Sequence, residues 1–258
     1  MKTLKKHLSF GSLRRVVSEA AQSVTDGRDP AYASYSLHDT CLSGLAMMYF
    51  QDPSLLQFQK RIQDKLQKSN LQTLFAVKEV PSDSRMRELV DLVPSDTLRP
   101  VFRQYVSALQ RGKYLESFQL LGGHYLVDLD GSEYFHSDAI HCPHCLKWKS
   151  GEKPYYCHYI LQATIVHPDQ RQVIPLCPEE ICNEDGSEKQ DCETNAAKRW
   201  LKKFRCEHPF LKPIFNGDDL YSKQPMIELI VDEIKGHFIF VAKPKSHKTL
   251  WEWVEEQR

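Results

Sequence analysis

The chain has 258 residues, 41% apolar and 26% charged, enough to bury one large core or two modest ones and too apolar for a disordered chain. Lys plus Arg and Asp plus Glu both come to 34, so the whole-chain charge of zero by itself predicts no nucleic-acid or membrane partner. No apolar run reaches the length of about 18 residues that crosses a bilayer, and the start, MKTLKKHLSFGSLRR, lacks the apolar stretch of a signal peptide.

The balance hides two halves. Residues 1–120 carry 17 basic against 12 acidic side chains, and residues 121–258 carry 17 against 22. The first half shows helical spacing nearly throughout. Leu55, Leu56, Phe58, Ile62 and Leu66 recur on one face behind Pro53-Ser54. Pro81-Ser82-Asp83 and Pro94-Ser95-Asp96 open two further helices, where Ser or Asp can cap the free amides of the first turn. The basic cluster Lys2, Lys5, Lys6, Arg14 and Arg15 suits phosphate contacts, and equally suits a solvated tail. Residues 1–118 are therefore predicted as an all-helical region able to bind DNA.

From residue 119 the period changes to two. His124 to Phe135 reads as a strand ending in a turn, and Tyr155 to Leu176 as two strands around His167-Pro168-Asp169-Gln170. A polar segment with Glu184-Asp185-Gly186 leads into a helix over 191–204. Then come the strand Leu211–Phe215, a helix over 225–234, the strand His237–Lys243 and a last helix from about His247. The expected fold class for residues 119–258 is α/β. Three strands, helix, strand, helix, strand, helix is the order of an RNase H-like mixed sheet.

Chemistry on such a sheet gathers carboxylates at one edge, because hard divalent cations take oxygen ligands. Asp128 and Asp130 share a face at the end of the first strand. Asp218 and Asp219 end a later one. Each pair, taken alone, also reads as a turn former.

Several segments, in order, resemble the motifs of bacterial insertion-sequence DDE transposases with an IS-four-like catalytic domain. They are Leu129 to Ser137, Ile140 to Leu146, YCHYILQATIVHPD, VIPLCPEEI, Glu188 to Leu201, His208 to Pro225 and HFIFVAKPKSH, with Val80 to Asp91 similar to the linker upstream. The resemblance implies an RNase H-like fold that cuts transposon ends and joins them to target DNA with Mg²⁺ or Mn²⁺, as a homo-oligomer on DNA. By position, Asp130 matches the first family aspartate, in a DG(T/S) motif, and Asp218 the second, in a D-x-x-Y pattern. The family glutamate, in a Y-x-x-R-x-x-x-E segment, has no match after Val241. The expectation is thus a core cut short before its third acid and inactive or partial, unless Glu252 or Glu255 supplies that acid. The alternatives are a catalytically silent DNA-binding remnant and an RNase H-like nuclease of other specificity.

Seven of the eight cysteines fall between Cys142 and Cys206. In the reducing cytoplasm, where this chain is expected, they favour metal binding or plain thiols over disulfides. Cys142 and Cys145 form a C-x-x-C knuckle, and Cys157-His158 follows, so these four could hold structural zinc. Adjacent Cys157 and His158 would face opposite sides of a strand, which leaves His141 or His144 as a substitute and unmetallated thiols as the alternative. Asp191, Glu193, Lys198 and Arg199, with Lys189, read as a solvated helix face. The resemblance assigns Lys198 and Arg199 to DNA instead. Trp251 and Trp253 fit either base stacking or the apolar edge of a terminal helix.

Overall fold

A computed structural model describes residues 8–29, 33–150, 153–182 and 190–257. Lys2, Lys5, Lys6, the segment holding Glu184-Asp185-Gly186, Glu188 and Lys189 lie outside them. The chain separates into two compact units, residues 1–112 and 113–258. The division falls ahead of residue 118 because the 3₁₀ turn Leu115–Phe118 buries both its end residues, and it runs straight into the first strand of the second unit.

The first unit is helical: α1 (Phe10–Ser23), α2 (Leu37–Tyr49), α3 (Leu55–Ile62), α4 (Lys65–Phe75), α5 (Asp83–Val90) and α6 (Arg99–Arg111). Ser9, Ser36, Ser54 and Ser82 cap α1, α2, α3 and α5, each accepting from the amide three residues further on. Ser95 and Asp96 do not cap α6. They form a 3₁₀ turn that feeds it, with Pro100 in its first turn. The predicted run through Leu66 is broken into α3 and α4 at Gln63-Asp64. Val17, Leu42, Ala46, Phe58, Leu71, Phe75, Val77 and Val101 make one core. Buried Asp39 accepts from the Lys78 and Glu79 amides at 3.2 and 3.0 Å, which fixes the segment after α4. No helix among the described residues is long and apolar enough to cross a membrane.

The second unit is α/β, built on one mixed sheet that contains eight strands among the described residues. They are β1 (Gln119–Leu120), β2 (His124–Ser137), β3 (Leu146–Ser150), β4 (Lys153–Val166), β5 (Ile174–Pro175), β6 (Glu179–Ile181), β7 (Pro213–Gly217) and β8 (His237–Phe240). The main order is β3-β4-β2-β7-β8. β4 runs antiparallel to β2 along its length, while β7 is parallel to β2 and β8 parallel to β7. The outer edge of β4 is covered piecewise by β3, β6 and β5, all antiparallel to it. β3 has no apolar alternation to mark it as a strand, since Lys147, Trp148 and Lys149 are all exposed.

Parallel neighbours need crossovers. The first is α7 (Glu193–Glu207), ahead of β7. The second is α8 (Gln224–Glu228), extended by a π turn over Leu229–Glu233, ahead of β8. A last helix, α9 (Lys248–Glu256), follows. α7 buries Ala196, Ala197, Trp200, Leu201 and Phe204. The two alanines admit close approach to the sheet, and the rings of Trp200 and Phe204 meet Phe215 of β7 at 6.3 and 5.5 Å. Trp200 Nε1 donates to the Cys177 carbonyl at 2.7 Å, so its one polar atom is satisfied in the core. A helix of 15 residues is marginal alone. Burial of its large apolar side chains, about 1.5–3 kcal/mol each, is what seats it.

Phe215 is fully buried where helix and sheet join. Phe215→Ala is expected to cost about 3–5 kcal/mol, read as a lower urea midpoint with an unchanged slope. A loss below about 1 kcal/mol would show that α7 is not held through this ring.

Candidate functional site

In the middle of the sheet β7 runs parallel to the first half of β2 and ends beside it, while β2 continues to Ser137 along β4, so Asp130 stands within β2 and not at the strand end expected from the sequence. The β2–β7 register pairs Tyr125 with Pro213 and Asp128 with Asn216. Two residues further along each chain stand Asp130 and Asp218. Asn216 Nδ2 donates to Asp128 Oδ1 at 2.6 Å, so these side chains share a face and Asp128 is engaged inside the strand pair. Asp130 is exposed, and its carboxylate accepts no hydrogen bond among the described residues.

Asp218 opens the turn after β7. Its Oδ1 accepts from the Leu220 amide at 2.8 Å and its carbonyl from the Tyr221 amide at 3.3 Å. The four-residue turn brings Tyr221 back over the strand end. There its ring lies against Gly217, where a Cβ would stand 2.6 Å from Tyr221 Cδ2. Tyr221 is 1% exposed and its hydroxyl donates to Glu193 Oε1. Burial first, then the bond to Glu193 and the charges of Glu193, Asp130 and Asp218, push the phenol far above its ordinary range.

Glu193 is the acid that sequence reasoning missed. It is the first residue of α7, where a helix favours negative charge. Its carboxylate lies against the α-carbon of Gly131, so that a Cβ at 131 would stand 2.6 Å from Glu193 Cδ. Gly131, Gly217 and Tyr221 thus seat one carboxylate on a tyrosine whose hydroxyl also feels the charges of Asp130 and Asp218. The available signal was an acid opening a helix, which has the same pattern as a solvated face.

The neighbouring acids have other tasks. Asp219 accepts from Ser246 Oγ at 2.7 and 2.6 Å and from the Lys243 amide at 2.7 Å. The Ser246 hydroxyl first, and then the Lys243 amide, hold its carboxyl below the usual range. His247 Nε2 lies 3.3 Å from Asp219 and 2.6 Å from Ser222 Oγ. A nucleophile relay needs the carboxylate and the hydroxyl on different ring nitrogens. Here both face Nε2, so the trio anchors the loop before α9. Glu252 and Glu255 are exposed on α9.

Arg199 is held internally. It lies 2.8 Å from Asp191 and 3.3 Å from Glu179, and donates to the Glu180 carbonyl at 2.9 Å. The bond to Asp191 leads the causes that raise its pKa. Lys203 meets the same buried Glu179 at 2.9 Å, so these charges tie α7 to β6. Lys198 is half-buried on α7.

A second constellation lies at the other end of β4. Cys142 Sγ and Cys145 Sγ are 3.7 Å apart, and each is 3.3 Å from His158 Nε2. Cys157 is not part of it: its thiol is buried and donates to the Leu146 carbonyl, as expected from strand alternation. His144 is exposed, and His141 stacks on Tyr156 at 4.1 Å. Among the described residues, this is the one group of three or more metal-ligating side chains with all ligand atoms within 4.8 Å of one another. The carboxylates of Asp130, Asp218 and Glu193 are spread more widely.

No protein-family model, curated protein or solved structure matches the chain.

Gly131→Ala is expected to destabilise the second unit by about 1–3 kcal/mol through collision with Glu193. In a Glu193→Ala background the same change should cost almost nothing, a coupling that a double-mutant cycle in urea measures. Additive losses would show that Glu193 does not lie against residue 131.

Proposed function

We propose that the second unit is an RNase H-like catalytic domain of a DDE transposase, acting on DNA ends with Mg²⁺ or Mn²⁺. The observation that carries this reading is the parallel register of β2 and β7, which sets Asp130, within β2, level with Asp218, just past the end of β7. The sheet supports it as well: an antiparallel set followed by two parallel strands reached through helices is the arrangement that the sequence motifs imply.

The side chains fit hard cations. Asp130 and Asp218 offer exposed carboxylate oxygens, and Asp130 has no hydrogen bond competing for them. Such ions, when bound, activate an attacking water or hydroxyl and stabilise the leaving oxygen of a phosphodiester. Asp130 and Asp218 would hold them, and Glu193, clamped by Tyr221, would supply the third carboxylate. Asn216 holds Asp128 away from that role, and Asp219 keeps the following loop closed over the strand end.

Glu193 also favours a second reading, a metal-dependent nuclease on the same fold. The acid set Asp130, Glu193 and Asp218 is complete by the end of β7 and needs no downstream glutamate. DNA is the partner in either case, and zinc is a separate question taken up below.

The test is cleavage of a plasmid carrying the DNA that flanks the gene for this chain, with Mg²⁺ or Mn²⁺. Nicking confined to the flanks is expected, lowered about 10²–10³-fold by Asp130→Asn or Asp218→Asn. Glu193→Gln should lower it comparably and Glu252→Gln should not. Metal-dependent nicking without preference for the flanks would favour the nuclease. Cleavage indifferent to Asp130 and Asp218 would overturn both readings.

A further inference from the structure

We propose that Cys142, Cys145 and His158 are preset ligands of a structural zinc ion, completed by Cys182, which locks the outer edge of the sheet. The spacing argues for it first. Tetrahedral zinc, with Zn–S near about 2.3 Å and Zn–N near about 2.0 Å, separates two sulfurs by about 3.8 Å and a sulfur from a nitrogen by about 3.5 Å. The observed 3.7 Å and two separations of 3.3 Å follow that pattern. A disulfide would bring the sulfurs to about 2.05 Å. Three soft donors on two separate segments therefore stand at three corners of one tetrahedron.

The local fold builds these corners. Pro143 and His144 turn the chain so that the Cys145 amide donates to the Cys142 carbonyl at 3.3 Å, and the Cys142 amide meets Cys145 Sγ at 3.3 Å. His158 is set from below. A bulge between Glu133 and Phe135 of β2 leaves Tyr134 outside the pairing, and its ring stacks on His158 at 5.7 Å. The imidazole is thereby oriented before any ion arrives, as outer groups orient metal-bound histidines.

Strand register brings a fourth donor to the same level, with its sulfur outside the 4.8 Å within which the other three ligand atoms gather. β3 pairs Leu146 with Cys157, so Cys145 reaches the level of His158 from one side. β6 pairs Ile181 with Tyr159, so Cys182 reaches the same level from the other. Cys182 is 5% exposed. His158 thus faces the gap in the edge of β4 between β3 and β6, and one ion there would join the turn before β3 to β4 and to the end of β6.

Zinc analysis of the full chain purified without chelator is the test. About one equivalent is expected, and Co²⁺ added to stripped protein should give the strong absorption of a tetrahedral thiolate complex. Cys142→Ser, Cys145→Ser and His158→Ala should each leave less than about 0.2 equivalents. Cys182→Ser should weaken affinity at least about tenfold, and Cys157→Ser should change neither quantity. Should a ligand variant fail to fold, the stripped native chain still answers, because added zinc should raise its melting temperature by several degrees. Native protein that binds no zinc and melts unchanged would overturn the proposal, and so would zinc binding untouched by Cys182→Ser.

Discussion

The second unit depends on the parallel pairing of β2 with β7. The two strands are far apart in sequence, and their register is enforced from the buried face, where Tyr125, Val127 and Leu129 alternate into the core beside Phe215. A slip of one residue would turn Asp128 and Asp130 into the apolar layer under α7. Burial therefore fixes the register, and the register sets Asp130 next to Asp218. No contact between the two acids is required for their placement.

The third carboxylate depends on the same pairing at one remove. α7 is seated by Trp200 and Phe204 on Phe215, and its first residue then falls beside Gly131 of β2. What remains is to fix the Glu193 side chain. Gly131 leaves room for it, and Tyr221 reaches it because the Asp218 turn folds the ring across Gly217. The D-G and D-x-x-Y spacings thus have a local physical reason: each aspartate is followed at a fixed interval by a residue that makes space for Glu193 or binds it.

Much of this layout was legible in the sequence. The change of period near residue 120 and the order of strands and helices depend on local alternation, which a chain shows directly. Asp130 and Asp218 stood out because each ends an apolar alternation. Glu193 did not, because its role comes from the seating of a helix by residues seven and eleven positions further on and from a tyrosine on another segment. Arg199 misled for the related reason that a helix-face cation looks the same whether it meets solvent or buried Glu179. Cys157 stands outside the Cys142, Cys145 and His158 cluster because it faces the other side of β4, whose outer edge is pieced together from β3, β6 and β5, a pairing with no sequence signature.

The two clusters divide hard from soft chemistry within one sheet. Oxygen donors gather where β7 ends beside the middle of β2, while sulfur and imidazole gather at the β3–β4 edge. Donor type alone would sort cations between them. The central claim, that Asp130, Asp218 and Glu193 form a site for hard divalent ions, is tested most directly by anomalous diffraction from crystals soaked in Mn²⁺. Manganese peaks bounded by Asp130, Asp218 and Glu193 are the expected result. Ordered crystals that take up manganese elsewhere, with Asp130 and Asp218 bare of it, would contradict the account.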